Sequence, residues 1–207
     1  MSKILISGCG ITFPGERPTW VSVLKLCKLN IVDLSGPAIS NYLILNQLLL
    51  ELKSNSYTHV VCQLTGYGKL DVQVNDNNRE LVDSDTIRNF TYRGYWPSSA
   101  SDEHVAKQHY YKYLYSPELE RQDIELKIDH LQMMCEKTNT KLLVIQGYDI
   151  GLDPYNIYEE YKQDPTYAFH DYSNSNTVPC RQFQVKLADK INREFLKQHI
   201  PIEKFYE

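Results

Sequence analysis

Four short apolar runs constrain this chain most: Lys3-Ile-Leu-Ile-Ser7, Ile31-Val-Asp-Leu34, His59-Val-Val-Cys-Gln-Leu64 and Lys141-Leu-Leu-Val-Ile-Gln146. Each has strand length and stops at a breaker: Gly8 and Gly10, Ser35-Gly36-Pro37, Thr65-Gly66-Tyr67-Gly68, and Gly147. Continuous apolar runs without alternation belong to strands covered on both faces, which is the condition of a parallel sheet.

The segments between them carry helical periodicity. Trp20, Leu24 and Cys27 share one face of a helix that opens around Pro18-Thr19-Trp20, and Ser40 can cap a second helix reaching about Leu52. A Tyr-rich helix is predicted from Asp102 to about Tyr115. Ser116-Pro117-Glu118 then supplies a cap, a proline at the first helical position and an early acid, with Ile124, Ile128, Leu131 and Cys135 following on one face. Phe183, Leu187, Ile191 and Phe195 mark a last helix over roughly Arg181–His199. The stretch 69–101 is polar and aperiodic, and reads as a long excursion with little regular structure.

Strands that alternate with helices, with no hairpin signal, imply an α/β fold: a three-layer, doubly wound parallel sheet of the flavodoxin-like kind in one domain spanning 1–207. The expected strand order is 2-1-3-4. The loops at Gly8, Ser35, Thr65 and Gly147 then meet at the carboxyl edge, where such folds bind ligands.

A net charge of -4 offers no concentrated basic surface, so neither nucleic acid nor an anionic membrane is an expected partner. The most apolar stretch, Tyr42–Leu52, contains Asn46, Gln47 and Glu51 and is shorter than the ~20 residues of a membrane span. The first residues lack the basic stretch and apolar core of a signal peptide, so a cytoplasmic location is expected. The five cysteines (Cys9, Cys27, Cys62, Cys135, Cys180) show no CxxC spacing and read as reduced thiols. The 16 tyrosines, many of them between Tyr92 and Tyr172, predict a half-exposed surface that lines a pocket or a contact face.

The loop Ile6-Ser-Gly-Cys-Gly-Ile-Thr-Phe13, followed by Pro18-Thr19-Trp20, resembles the first block of the SGNH/GDSL hydrolases, especially small phage and bacterial relatives that read Gly-Cys-Ser-Phe-Thr and then a tryptophan. The resemblance implies the fold described above and places the nucleophilic serine at Gly10, which has nothing to attack with. The second block is similar to Val32-Asp-Leu-Ser-Gly-Pro-Ala-Ile-Ser-Asn41, with Gly36 as the backbone oxyanion donor. In the third, Gln63-Leu-Thr-Gly-Tyr67, Gly66 stands where the family has its asparagine. The last block, Ser175-Asn-Thr-Val-Pro-Cys-Arg181, puts Ser175 and Val178 at the aspartate and histidine positions. All three triad members are therefore replaced. The resemblance further implies that Gly8, Gly10, Thr12, Gly36, Asn41, Thr65 and Tyr67 surround the ligand.

Other residues compete for a chemical role. Cys9, beside the missing serine, offers a thiol, although a reactive thiolate needs a neighbouring cation or His and small buried cysteines are common. His170-Asp171, the adjacent His/Asp pair before the last helix, offers a displaced base or merely an exposed loop pair. Gly8, Gly10 and Gly15 do not make a phosphate loop, because the spacing is wrong and Pro14 intervenes. Asp149, Asp153, Glu159 and Glu160 read as solvated acids, so neither a metal nor another cofactor is implied. Arg17, Lys69, Arg79, Arg88 and Arg93, with Tyr67, Tyr92, Tyr95 and Trp96, suit an anionic ligand or glycan, or simply a solvated rim.

The preferred reading is a non-catalytic binding or structural module that takes a small molecule or glycan. The alternative is an esterase or deacetylase with an unusual nucleophile, acting on ester-linked or acetylated substrates. A third is a subunit of a homo-oligomer or larger assembly, such as a virus particle, joined through the Tyr-rich surface.

Overall fold

The computed structural model describes residues 2–9, 19–36, 39–73, 92–95, 109–146, 181–198 and 200–202. Its centre is a parallel sheet of four strands, β1 (Lys3–Gly8), β2 (Asn30–Asp33), β3 (His59–Leu64) and β6 (Lys141–Gln146), in the order β2-β1-β3-β6. The register sets Gly8 beside Gln63 and Leu64 beside Gln146, so the strands finish together at one edge. This is the 2-1-3-4 order expected for the apolar runs.

Alternation along each strand divides the core in two. Leu5, Val60, Cys62 and Val144 face one cluster with the helices α2 (Asn41–Ser54) and α3 (Pro117–Lys137). Ile4, Ile6, Val61 and Ile145 face the other, with α1 (Trp20–Leu26) and α4 (Arg181–Lys190). Helices thus cover both faces, and Ile4, Leu5 and Ile6 are fully buried. Each such side chain contributes roughly 1.5–3 kcal/mol of transfer free energy.

Local chemistry sets the helix ends. α1 begins in a reciprocal capping box: Thr19 Oγ1 accepts from the Ser22 N–H at 3.4 Å, and Ser22 Oγ accepts from the Thr19 N–H at 3.3 Å. Ser40 caps α2 by accepting from the Leu43 N–H at 3.2 Å. α2 buries Leu43, Ile44, Leu45, Leu48, Leu49 and Leu52, so much of its circumference is covered. Ser116 caps α3, Pro117 stands in its first turn, and Glu118 and Glu120 complement the positive end of its dipole. The chain leaves α3 through Asn139 in the left-handed region, φ 53°.

One expectation needs correction, and two expected helices prove to contain wide turns. The excursion 69–101 contains an antiparallel ladder, β4 (Leu70–Gln73) with β5 (Tyr92–Tyr95), in a separate two-stranded sheet. Its pairing is a backbone property that Lys-Leu-Asp-Val-Gln does not advertise by composition, and the intervening 74–91 lie outside the described residues. The Tyr-rich helix is, where described, one wide turn over Tyr110–Leu114, closed by an i→i+5 bond from Tyr115 N–H to the Tyr110 carbonyl at 2.8 Å. The last helix does not run evenly to His199. It widens over Ile191–Phe195 with the same i→i+5 bonding, Leu196 N–H to Ile191 carbonyl at 2.9 Å, and ends where Lys197 turns left-handed at φ 54°.

Among the described residues Cys9, Cys27, Cys62 and Cys135 are buried free thiols. No described helix is long and apolar enough to cross a membrane.

Candidate functional site

The carboxyl edge of the parallel sheet gathers the ends of β1, β2 and β3. The Gly36 N–H donates to the Gly8 carbonyl at 3.1 Å, so the loops after β1 and β2 are joined there. At Gly36 a Cβ would stand 3.1 Å from Cγ2 of Ile39, a closer approach than side chains normally tolerate. Asn41, fully buried at the start of α2, accepts the Thr65 N–H at 2.7 Å and donates to the Thr65 carbonyl at 2.8 Å. Tyr67 is half-buried against the α2/α3 core, which raises its phenol above the ordinary range by desolvation.

Cys9 lies at the end of β1 and is 2% exposed. Near it lies Lys69, 8% exposed, which also interacts with Asp71, whose carboxylate accepts from both the N–H and the hydroxyl of Ser40. Burial lowers the Lys69 ammonium below its usual range, against the opposing pull of Cys9 and Asp71. Burial likewise raises the Asp71 carboxyl, although the Ser40 hydrogen bonds and Lys69 oppose it. In both groups desolvation outweighs the favourable partner.

A second polar knot lies next to this one. Glu120 accepts the Gly68 N–H at 2.8 Å and the Tyr115 hydroxyl at 2.8 Å, while the Tyr111 hydroxyl donates to the Gly68 carbonyl at 2.6 Å. Tyr110, Tyr111 and Tyr115 pack ring against ring at 5.1–6.2 Å. On the opposite face of the sheet Trp20 Nε1 donates to Gln63 Oε1 at 2.7 Å, and the Trp20 N–H donates to Gln184 Oε1 at 2.9 Å.

Two hydroxyls at this edge, Ser7 Oγ and Thr65 Oγ1, are fully buried with no hydrogen-bond partner among the described residues. Ser7 shares the Leu5 and Cys9 side of β1 by strand alternation, and its register partner is Cys62. Buried polar atoms are normally satisfied, so these two are suited to a water molecule or to a polar group of a ligand.

Of the sequence candidates, the fold brings together Gly8, Cys9, Gly36, Asn41 and Thr65, with Tyr67 close by in the chain. Gly10, Thr12, His170, Asp171, Ser175 and Val178 lie outside the described residues, as do Arg17, Arg79, Arg88, Trp96, Asp149, Asp153, Glu159 and Glu160. Tyr92, Arg93 and Tyr95 are described only as backbone of β5. Sequence reasoning named Lys69 but missed Asp71, Ser7 and the role of Glu120. For Asp71 one local signal existed: Lys69-Leu-Asp-Val-Gln73 alternates polar and apolar residues as a strand does. Among the described residues no set of three His, Cys, Asp or Glu side chains is placed to hold a metal.

Compared with known proteins, the chain matches no family model and no curated sequence.

Proposed function

We propose that this chain is a binding module on an SGNH/GDSL-like, flavodoxin-like scaffold, which takes a small molecule or glycan at the carboxyl edge without hydrolysing it. The observation that carries this reading is the 3.1 Å hydrogen bond from the Gly36 N–H to the Gly8 carbonyl. An oxyanion hole works through donors aimed at the charge that develops in the transition state. A donor closed on a neighbouring carbonyl is not available for that task. Gly10, Ser175 and Val178 add the absence of nucleophile, acid and base at the positions the resemblance assigns. The Ser7 and Thr65 hydroxyls favour binding at the same edge, because a ligand's polar group would satisfy them.

The test is hydrolysis of p-nitrophenyl acetate by the full chain. The expected rate equals that of a denatured control. Turnover by the folded chain that disappears with Cys9→Ala or His170→Ala overturns the reading.

One observation favours the alternative, a hydrolase with a rebuilt nucleophile: Lys69, a basic side chain, is buried near Cys9. A neighbouring ammonium is what a thiolate requires. Against it, the thiol is 2% exposed, so the binding reading predicts slow alkylation of Cys9 by iodoacetamide in the native chain. Alkylation of Cys9 as fast as that of a free thiol at the same pH supports the hydrolase.

A further inference from the structure

α3 is apolar on two opposite sides. Ile124, Ile128, Leu131 and Cys135 are buried at intervals of three and four, in the cluster that includes α2 and β6 residues. Leu119, Leu126 and Met133 recur at every seventh position and are 64%, 69% and 60% exposed. Seven residues at about 100° each fall only about 20° short of two turns, so these three lie almost in line along the outer side of the helix. The chain just before α3 adds Tyr113 and Leu114, 64% and 74% exposed. Tyr42 of α2, 57% exposed, adds its ring beside the stripe, with Lys127 Nζ 4.8 Å from the ring centre.

We propose that two copies of this chain associate through α3, antiparallel about a two-fold axis at Leu126. This arrangement seats Leu126 on the partner's Leu126, and Leu119 on the partner's Met133, so the stripe is its own complement as a two-fold interface requires. On the flank that carries Asp123, Lys127 and His130, Asp123, which pairs with Lys127 of its own helix at 2.7 Å, comes opposite the partner's His130 and near the partner's Lys127. On the other flank Gln122 meets the partner's Asp129. A parallel pair would instead set the Asp123 flank against the partner's Gln122 and Asp129 flank, acid near acid, and align the helix dipoles.

The charge distribution along α3 favours the same orientation. Its first half carries Glu118, Glu120, Asp123 and Glu125 with Arg121, whereas its second carries Lys127, His130 and Lys137 with Asp129 and Glu136. Antiparallel pairing lays the acidic half over the more basic one. Leu119, Leu126 and Met133, each more than half exposed, supply the apolar centre that such an interface needs, and Tyr42 extends it on one flank.

The experiment is sedimentation velocity on the full chain, from low micromolar to several hundred micromolar. The expected result is a concentration-dependent rise from a species of 24.2 kDa toward twice that mass. Leu126→Glu should weaken the association by about tenfold or more, since it buries a charge at the two-fold axis. His130→Glu and Asp123→Lys should each weaken it, by acid against acid and by Lys against the partner's Lys127, and the two together should restore it, because the new Lys and Glu face each other across the axis in the antiparallel register. All these positions lie on the outer side of α3, so circular dichroism should show each variant folded. A parent that stays monomeric throughout overturns the proposal, including the case in which the stripe binds lipid vesicles or another protein instead. An association indifferent to Leu126→Glu, or a charge exchange that fails to restore it, also overturns the proposal.

Discussion

The side-chain amide of Asn41 holds the backbone of Thr65 from both sides, accepting its N–H at 2.7 Å and donating to its carbonyl at 2.8 Å. The pair joins the first residue of α2 to the residue that follows β3, and so fixes how the helix enters the carboxyl edge. Both residues are fully buried, which makes each lost bond expensive.

Asn41→Ala should therefore destabilise the chain by about 2–4 kcal/mol, since it leaves a buried N–H and a buried carbonyl of Thr65 without those partners. Urea unfolding measures this. An unchanged midpoint would show that the Asn41 pair adds nothing to stability.

Trp20 and Gln63 should be energetically coupled across the other face of the sheet. Gln63→Leu leaves the buried indole N–H without its 2.7 Å acceptor and should cost about 1–3 kcal/mol. In a Trp20→Phe background that donor is gone, and the same substitution should cost about 1 kcal/mol less. A double-mutant cycle reads the difference directly, and additive costs would count against the bond.

Stability should fall on both sides of neutrality, for opposite reasons. Burial, aided by Lys141, lowers His59 below its ordinary 6.5. As pH drops through 6.5 the unfolded chain takes up the proton first, so stability is lost progressively toward the lowered folded value. Burial raises the Cys62 thiol and pushes Cys135 from 9.0 up to about 11. Here the unfolded chain loses the proton first, so stability present below pH 9 is lost as pH rises toward the folded values. The measurement is the denaturant midpoint against pH. His59→Phe should flatten the acid arm relative to the parent and Cys135→Ala the alkaline arm. Asp71 and Glu120, held above their ordinary values, act in the opposite sense at lower pH and are common to both proteins in the first comparison.

Gly10→Ser alone should leave p-nitrophenyl acetate hydrolysis at background. A hydroxyl without a base is a weak nucleophile, and members of a catalytic unit act non-additively. On the SGNH/GDSL-like reading proposed above, adding Ser175→Asp and Val178→His would supply an acid and a base, so the triple variant tests that assignment. A rate at background in a folded triple variant counts against either the assignment of Ser175 and Val178 or the availability of the Gly36 N–H, which donates to the Gly8 carbonyl. Recovery of turnover would show that this donor can open.

The strands, the caps and the buried faces were readable from the chain because they are local. Lys3–Ser7 and His59–Leu64 declare themselves by apolar continuity, Ser40 and Ser116 by cap chemistry, and Ile124, Ile128, Leu131 and Cys135 by helical spacing. With right-handed crossovers, these suffice for a parallel sheet and its order. The alternation of Lys69–Gln73 hinted at a strand, but its pairing with β5 was not readable, because pairing is decided by backbone bonds to a distant partner. Nor was the use of the polar groups at the edge. Whether the Gly36 N–H faces a ligand or the Gly8 carbonyl, and whether Asn41 serves a ligand or Thr65, depends on contacts between residues far apart in the chain. The residue types alone determine what can bond. Only packing, by setting distance and excluding water, decides what does.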